Sequence, residues 1–242
     1  MQHLLILGSA PLAARASDWP RAWFDHILVI NNAWRLRPDW DELIHPWDFP
    51  EDRWPAPKPC QRIVTETDFV PVQNALGGFV YAGGTMAFTA GYWAIGAHAP
   101  RVIAMFGCDM HYPVEGKTAF YGQARPDPLR DDITLQSLEA KSARMMILAA
   151  MRDIAMVNLS DGRSRLILPR AQPRNLAQAR PFAFDHIAAE EALAMEATLG
   201  YEVPSGRYWQ EADRFDGAKL RELDLLWLSA ATPPRRARRE IG

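Results

Sequence analysis

The sequence predicts an α/β fold, a parallel β-sheet with helices on both faces. Short apolar runs recur along the chain, and they are continuous rather than alternating, which is typical of strands that helices cover on both sides. Polar or glycine-containing loops follow these runs, and helical patterns lie between several of them. Hydrophobic residues make up 48% and charged residues 23% of the 242 residues, a usual composition for a folded globular protein.

Six apolar runs are predicted to be strands, at residues 4–7, 27–30, 43–44, 63–64, 102–106 and 154–157. Helices are predicted over 13–24, with Pro20 as a boundary, over 86–97 and over 134–151. The proline-rich stretch 47–59 is predicted to be an irregular loop. Part of it belongs to a tryptophan- and proline-rich stretch, 40–54, which offers either a platform for a sugar or partner or simple packing.

Composition changes near residue 170, so we predict the parallel α/β domain over 1–170 and a helical appendage or lid over 171–242. Asp185 is placed to cap a helix that ends at Gly200, and Asp216 to cap another that runs to about residue 229. Four arginines lie within 233–239. They are expected to form a solvated tail, with weak contact to phosphate or an acidic membrane surface as the alternative.

Charge and cysteine content exclude several classes of protein. The net charge is −2 and the pI is near 6.3, which excludes a surface built to bind nucleic acid. Cys60 and Cys108 form no CxxC motif and no disulfide framework, so a reduced, cytoplasmic protein is expected. No apolar run approaches the roughly 18–20 residues of a transmembrane helix, and no such segment is predicted.

Polar or glycine clusters are predicted at the carboxyl ends of the strands, where open parallel sheets bind ligands. They are Gly8-Ser9, Asn31-Asn32, His45, Asp109-x-His111-Tyr112 and Asn158-x-Ser160. We predict that several of these clusters converge on one phosphorylated ligand.

Two of these clusters have both a ligand-binding and a purely conformational interpretation. Gly8 and Ser9 leave a turn open to a phosphate, or form an ordinary turn; neither GxGxxG nor GxxxxGK[ST] is present. Asn31 and Asn32 offer amides to a base or sugar, or simply end a strand.

The sequence Gly83-Gly84-Thr85 precedes an apolar helix. Unpaired N–H groups and the helix dipole attract an anion to such a position. The alternative gives Thr85 an N-capping role and the glycines a close-packing role, and the two interpretations are compatible.

Asp109, His111 and Tyr112 are the predicted catalytic residues. Asp109 would bind a ribose or an amine or act as a base, and His111 would transfer a proton or stabilise a phosphate leaving group, with Tyr112 assisting. The alternatives are an aspartate that caps backbone amides and a surface histidine. Lys117 and Tyr121, in the loop that follows, would hold a departing diphosphate or monophosphate.

No metal site is predicted. His3, His26, His98 and His186 occur singly and are expected to be structural or exposed. The acidic loop residues Asp127, Asp131 and Asp132 are suited to Mg²⁺, but such residues are usually just solvated.

Taken together, the sequences LLILGSAP, VINNAW, GGTMAFTAGYWAIG and RVIAMFGCDMHY resemble a group of transferases. The group comprises bacterial sialyltransferases that use CMP-sialic acid, motility-associated factor proteins that modify flagellin, and archaeal hydroxymethylpterin diphosphokinase-like proteins. The resemblance spans about residues 4–160. Its matching positions are Gly8, Asn31 or Asn32, Gly84, Thr85, Asp109 and Tyr112.

The resemblance implies a Rossmann-like domain that binds a nucleotide. The sequence Gly116-Lys117-Thr118 is closer to the diphosphokinase-like and motility-associated members. The first turn lacks the second glycine of the group, and the sialyltransferase-type histidine expected before the helix at 134–151 is absent. His111 is the nearby histidine that would substitute, as a hypothesis.

The expected function is group transfer from a nucleotide-activated donor, with a glycosyl group from a CMP-type nucleotide sugar as the first candidate. That reaction would need no cofactor. The first alternative is ATP-dependent diphosphoryl transfer to a pterin-like alcohol, which would need Mg²⁺. The second is a nucleotide-binding protein without catalysis. The acceptor is not defined by these residues.

Overall fold

Six parallel strands form one sheet in the order β4-β3-β2-β1-β5-β6. The strands are β1 (His3–Leu7), β2 (His26–Ile30), β3 (Glu42–Ile44), β4 (Arg62–Val64), β5 (Val102–Phe106) and β6 (Ala155–Asn158). The structure is a computed structural model that describes residues 1–112, 116–122 and 131–232. Asp127 and the arginine-rich tail lie outside the described residues.

The strand order creates a switch point beside β1. From β1 the chain adds β2, β3 and β4 on one side, and then crosses to add β5 and β6 on the other side. The two neighbours of β1 are therefore β2 and β5, both in parallel register with it. This arrangement confirms the predicted parallel α/β sheet and is Rossmann-like, and a ligand crevice is expected where the strand order reverses.

Within the described residues, six α-helices accompany the sheet: α1 (Glu66–Asn74), α2 (Phe79–Ala82), α3 (Met86–Trp93), α4 (Leu138–Ala150), α5 (His186–Leu199) and α6 (Gly217–Ala230). A π-helical turn, Ala94–His98, continues α3. None of the helices within the described ranges is long and apolar enough to cross a bilayer.

The two faces of the sheet are covered differently. The larger apolar core packs α3 and α4 against side chains such as Leu4, Leu28 and Ile103. The other face packs alternate side chains, including Leu5 and Val29, against 3-10 helices. Alternate residues of each strand thus enter different cores, which explains why the apolar runs are continuous.

The last two helices share the larger core with α4. Trp227 of α6 is buried in it, and two buried ion pairs cross from α4. Arg144 Nε lies 2.7 Å from Glu196 Oε1 of α5, and Lys141 Nζ lies 2.8 Å from Asp224 Oδ1 of α6. Asp185 caps α5 and Gly200 ends it in a left-handed conformation, as predicted.

Some helical predictions were wrong in kind or extent. Residues 13–24 form parts of two 3-10 helices, Pro11–Asp18 and Arg21–Trp23, because Pro20 interrupts the stretch. The helix expected over 134–151 is divided in two. A 3-10 turn, Ile133–Leu135, comes first, and Ser137 then caps α4 by accepting the Ala140 N–H. Helices α1 and α2 were not predicted from the sequence.

Candidate functional site

A cleft of about 200 Å³ lies at the carboxyl edge of the sheet, between the ends of β1, β2 and β5 and the start of α3. We call it the switch-point cleft, because it lies where the strand order reverses beside β1. It is lined by parts of five segments, 8–10, 30–31, 85–87, 107–112 and 118–121. Among its lining residues are seven that the sequence singled out: Gly8, Ser9, Asn31, Thr85, His111, Tyr112 and Tyr121.

Two glycines allow β1 and β5 to approach closely at the cleft. The Gly8 N–H donates to the Phe106 carbonyl over 2.8 Å, and a Cβ on Gly8 would lie 2.3 Å from the Gly107 carbonyl oxygen. Gly107 itself has a φ of +70°, which favours glycine. Gly8 is therefore required by contact between strand ends, and the adjoining Ser9 and Ala10 line the cleft.

The two asparagines after β2 lie in different environments. Asn31 lines the cleft with a φ of +50°, and its buried Oδ1 has no hydrogen-bond partner among the described residues. Asn32 is buried in the structure and lies outside the cleft lining; its Oδ1 is also unpaired within the described ranges. Buried acceptors are nearly always satisfied, so Asn31 Oδ1 marks a place for a donor from a ligand or water.

Thr85 caps α3, which begins at the cleft. Its Oγ1 accepts the Ala87 N–H over 3.1 Å. Gly83 and Gly84 have packing roles: Gly83 is buried with a φ of +88°, and a Cβ on Gly84 would overlap the Tyr208 hydroxyl at 1.8 Å. Close packing is thus sufficient to explain both glycines. Thr85 caps α3 beside the cleft.

Asp109 lies beneath the cleft rather than on its surface. The side chain is 5% exposed, and its Oδ1 is 3.4 Å from Asn158 Nδ2. Its carbonyl accepts the Arg165 N–H over 2.8 Å. In this position Asp109 joins the end of β5 to the chain that follows β6, and it is shielded from a ligand in the cleft. His45, another polar residue at a strand end, is also buried, packed against Phe49 and Trp54.

His111 is the titratable base on the cleft surface. It is exposed, and Tyr112 and Tyr121 line the cleft beside it. Lys117 is exposed and lies outside the lining, and no lysine or arginine belongs to the lining within the described ranges. Cys108 also lines the cleft, but burial raises the pKa of its thiol, so that the group is protonated at neutral pH and a poor nucleophile.

A second cleft, of about 320 Å³, adjoins the first and shares Thr85 and Met86 with it. We call it the aromatic cleft because Trp47, Phe69, Phe79, Tyr208 and Trp209 line it. Three charged residues, Asp48, Glu66 and Arg207, also line it. Of these aromatic residues, Trp47 alone belongs to a stretch that stands out in the sequence. The other aromatics are more than 20 positions away along the chain, so no local motif reveals them.

Of the acidic residues considered for Mg²⁺, Asp132 has a structural role. Asp132 accepts hydrogen bonds from the Thr134 hydroxyl at 2.6 Å and, through its other oxygen, from the Tyr208 hydroxyl at 2.6 Å. Asp131 is exposed. Asp132 thus fixes Tyr208 at the wall of the aromatic cleft.

Comparisons with family models, with curated proteins and with solved structures found no match to this chain. A function is therefore inferred from the geometry of the two clefts.

Proposed function

We propose that the protein is a transferase that binds a nucleotide-activated donor in the switch-point cleft, and that the group transferred is a glycosyl group from a CMP-type nucleotide sugar. The observation that carries the proposal is the convergence of five separate chain segments on this one cleft. Such a crevice, at the reversal of strand order in a parallel sheet, is the usual nucleotide site of Rossmann-like folds.

The start of α3 and the Ser9 turn would hold the phosphate, since backbone N–H groups and the helix dipole attract an anion there. Asn31 Oδ1, which has no hydrogen-bond partner among the described residues, would accept a hydrogen bond from the base or the sugar. His111 and Tyr112 would assist proton transfer and departure of the nucleotide.

The charges of the cleft favour a donor with one phosphate. A triphosphate is usually held by lysine or arginine together with Mg²⁺. No cationic side chain other than a protonated His111 lines the described part of this cleft, and Lys117 lies outside it. These observations support a CMP-type donor over the ATP-dependent alternative.

The aromatic cleft is the natural place for the acceptor. It meets the switch-point cleft at Thr85 and Met86, so molecules bound in the two clefts would come into contact there. Tyr208 and Trp209 belong to the C-terminal part of the chain, which is where we expected the acceptor to be enclosed.

Thermal-shift measurements with CMP, CDP, UDP, GDP and ATP, each with and without Mg²⁺, test the proposal. We expect saturable stabilisation by a cytidine nucleotide without metal. Stabilisation by ATP only with Mg²⁺ would instead support diphosphoryl transfer. Nucleotide binding without turnover across a broad acceptor screen would support a non-catalytic nucleotide-binding protein. Stabilisation by none of these nucleotides would overturn the proposal.

The variant Asn31→Gly tests the site directly, because glycine removes the side chain while accepting the positive φ. We expect the affinity for the stabilising nucleotide to fall about tenfold, which corresponds to a loss of about 1.4 kcal/mol of binding free energy. Asp153→Gly is the matched control, since Asp153 also has a positive φ, of +60°, and is exposed in the turn before β6. Equal nucleotide affinities in the two variants would exclude a role for Asn31 in binding.

A further inference from the structure

Three potential metal ligands meet at the amino edge of the sheet, away from both clefts. His26 is the first residue of β2, and Glu42 is the first residue of β3. His98 ends the π-helical turn that continues α3. Their positions are 16 and 56 residues apart, so the sequence shows no metal-binding motif, and the two histidines had been expected to be structural or exposed.

The sheet places the three residues on one face. Leu28 pairs with Glu42 in the β2–β3 ladder, and His26 precedes Leu28 by two positions. Residues two apart in a strand share a face, as do paired residues of neighbouring strands, so His26 and Glu42 lie on the side of Leu28. That side packs against α3, whose π-helical extension brings His98 over the strand ends.

The ligand atoms have the spacing of a single coordination site. His98 Nε2 lies 2.8 Å from Glu42 Oε2, and His26 Nε2 lies 3.4 Å from the same oxygen. One ligand atom of each residue lies within 4.8 Å of the other two. Bonds of about 2.0–2.2 Å to Zn²⁺ would hold neighbouring ligands about 3.4 Å apart, so small side-chain shifts are enough.

His26 Nε2 is buried and makes no hydrogen bond to a described residue, because its 3.4 Å contact with Glu42 Oε2 does not have hydrogen-bond geometry. Its other ring nitrogen, Nδ1, lies 3.9 Å from Asp41 Oδ2. A metal-binding histidine commonly donates its other ring N–H to a carboxylate, and the His26 ring would need to shift toward Asp41 to do so. Asp41 is itself held by Arg21 Nη2 at 2.8 Å and by the Ile27 N–H at 2.7 Å.

Glu42 is buried, and neighbouring side chains hold its carboxylate in place. Trp93 Nε1 donates to Oε2 over 2.9 Å and fixes the carboxylate. The guanidinium of Arg62 lies 3.8 Å from the other oxygen, Oε1, and not beside the oxygen that faces the histidines.

We propose that His26, Glu42 and His98 bind one divalent transition-metal ion, with Zn²⁺ as the ion whose preferred ligands they match. Two imidazole nitrogens and one carboxylate oxygen suit Zn²⁺ and leave a fourth position for water. The ion would fasten the amino ends of β2 and β3 to the end of α3. About 13 Å of strand separates His26 from the switch-point cleft at Ile30, so the ion would lie apart from the site of transfer.

Zinc titration of the whole chain, freed of metal with a chelator and kept near neutral pH, tests the proposal. A competing chromophoric chelator reports the affinity. We expect one Zn²⁺ per chain, a raised Tm, no comparable effect of Mg²⁺, and a visible absorption band when Co²⁺ replaces Zn²⁺. His26→Ala, His98→Ala and Glu42→Gln should each weaken Zn²⁺ binding more than about 100-fold, because loss of an outer-shell partner alone costs about 10–100-fold.

His186→Ala is the matched control, since His186 is an exposed histidine that packs on Phe184 and not on the three ligands, and this variant should bind Zn²⁺ as the parent does. The histidine variants keep the test decisive if Glu42→Gln fails to fold, because His26 and His98 are partly exposed. Absence of saturable binding, or equal binding by the parent and His98→Ala, would overturn the proposal.

Discussion

His111 is where catalysis and simple binding in the switch-point cleft can be separated at a single side chain. We expect His111→Asn to reduce turnover of the stabilising nucleotide donor at least tenfold, about 1.4 kcal/mol of barrier, because asparagine cannot accept or donate a proton near neutral pH. Nucleotide affinity should change little, since asparagine still offers hydrogen bonds.

Steady-state kinetics and thermal-shift titration of the same His111 variant measure the two effects. His186→Asn, at the exposed start of α5, is the control and should retain full turnover. Undiminished turnover in His111→Asn would remove this histidine from the mechanism and leave the cleft as a binding site.

Gly8 gives a second prediction at the residue scale, on stability. A Cβ at Gly8 would lie 2.3 Å from the Gly107 carbonyl oxygen, which is backbone and has little room to move. We expect Gly8→Ala to lower the free energy of unfolding by about 1–3 kcal/mol, as overpacking does. In Gly217→Ala the new Cβ meets its nearest atom at 3.4 Å, so that variant should be close to neutral. Urea unfolding of both variants compares them, and equal midpoints would contradict the close-approach explanation.

Residue types at strand ends predicted the site only in part. Asn31 and His111 converge because carboxyl ends of parallel strands share an edge, which follows from topology, and Thr85 joins them at the start of α3. Burial of Asp109 depends on the chain after β6, which packs over it and which no local pattern describes. The cluster of His26, Glu42 and His98 depends on contacts between elements distant in sequence and was therefore missed.

At the scale of elements, strands were easier to predict than helices. Each strand is a short apolar run between polar residues, so composition alone locates it, and all six predicted runs overlap the observed strands. The missed helix α1 has little amphipathic pattern and contains Pro71; its start is marked by a capping box between Thr65 and Asp68. That capping box was the sequence feature from which α1 could have been predicted.

The ion pair between Glu139 and Arg165 predicts how one element's attachment depends on pH. Arg165 Nη2 donates to Glu139 Oε2 over 2.8 Å, which ties the chain after β6 to the start of α4, and Arg165 Nε also donates to Oε1. The hydrogen bonds from Arg165 lower the pKa of Glu139 below its ordinary 4.5. Its contribution is therefore fully present above pH 4.5 and is lost as the pH falls below that value.

We expect Glu139→Gln to lower the Tm at neutral pH by at most about 4 °C, because a partly exposed pair contributes only about 0–1 kcal/mol. The difference from the parent should shrink as the pH falls below 4.5. Glu222→Gln is the control, since Glu222 pairs with Lys219 within α6 and joins no second element. A difference between Glu139→Gln and the parent that stays constant from pH 7 to pH 3 would refute the assignment.

At the scale of the whole molecule, the C-terminal part is joined to the sheet by burial as well as by charge. Arg144 of α4 makes hydrogen bonds to both oxygens of Glu196, to the Tyr92 hydroxyl and to the Leu76 carbonyl. Burial alone would lower the pKa of Arg144, but Glu196 and Tyr92 reverse this and raise it, so the guanidinium stays charged. The same C-terminal part contributes Tyr208 and Trp209 to the aromatic cleft, so folding and the candidate acceptor site depend on one interface.

This interface predicts that residues 1–170 do not fold without the remainder. Removal of α5 and α6 would expose the apolar face that packs on Trp227 and would leave Arg144 and Lys141 without their carboxylates. Loss of a single partner from a buried pair costs about 3–5 kcal/mol, and two such losses approach the whole stability of a typical domain. We expect calorimetry to show one cooperative transition for the full chain and none for residues 1–170. Addition of a separate 171–242 fragment should restore the transition if the missing interface is the cause, whereas a cooperative transition in residues 1–170 alone would make the C-terminal part a separable appendage.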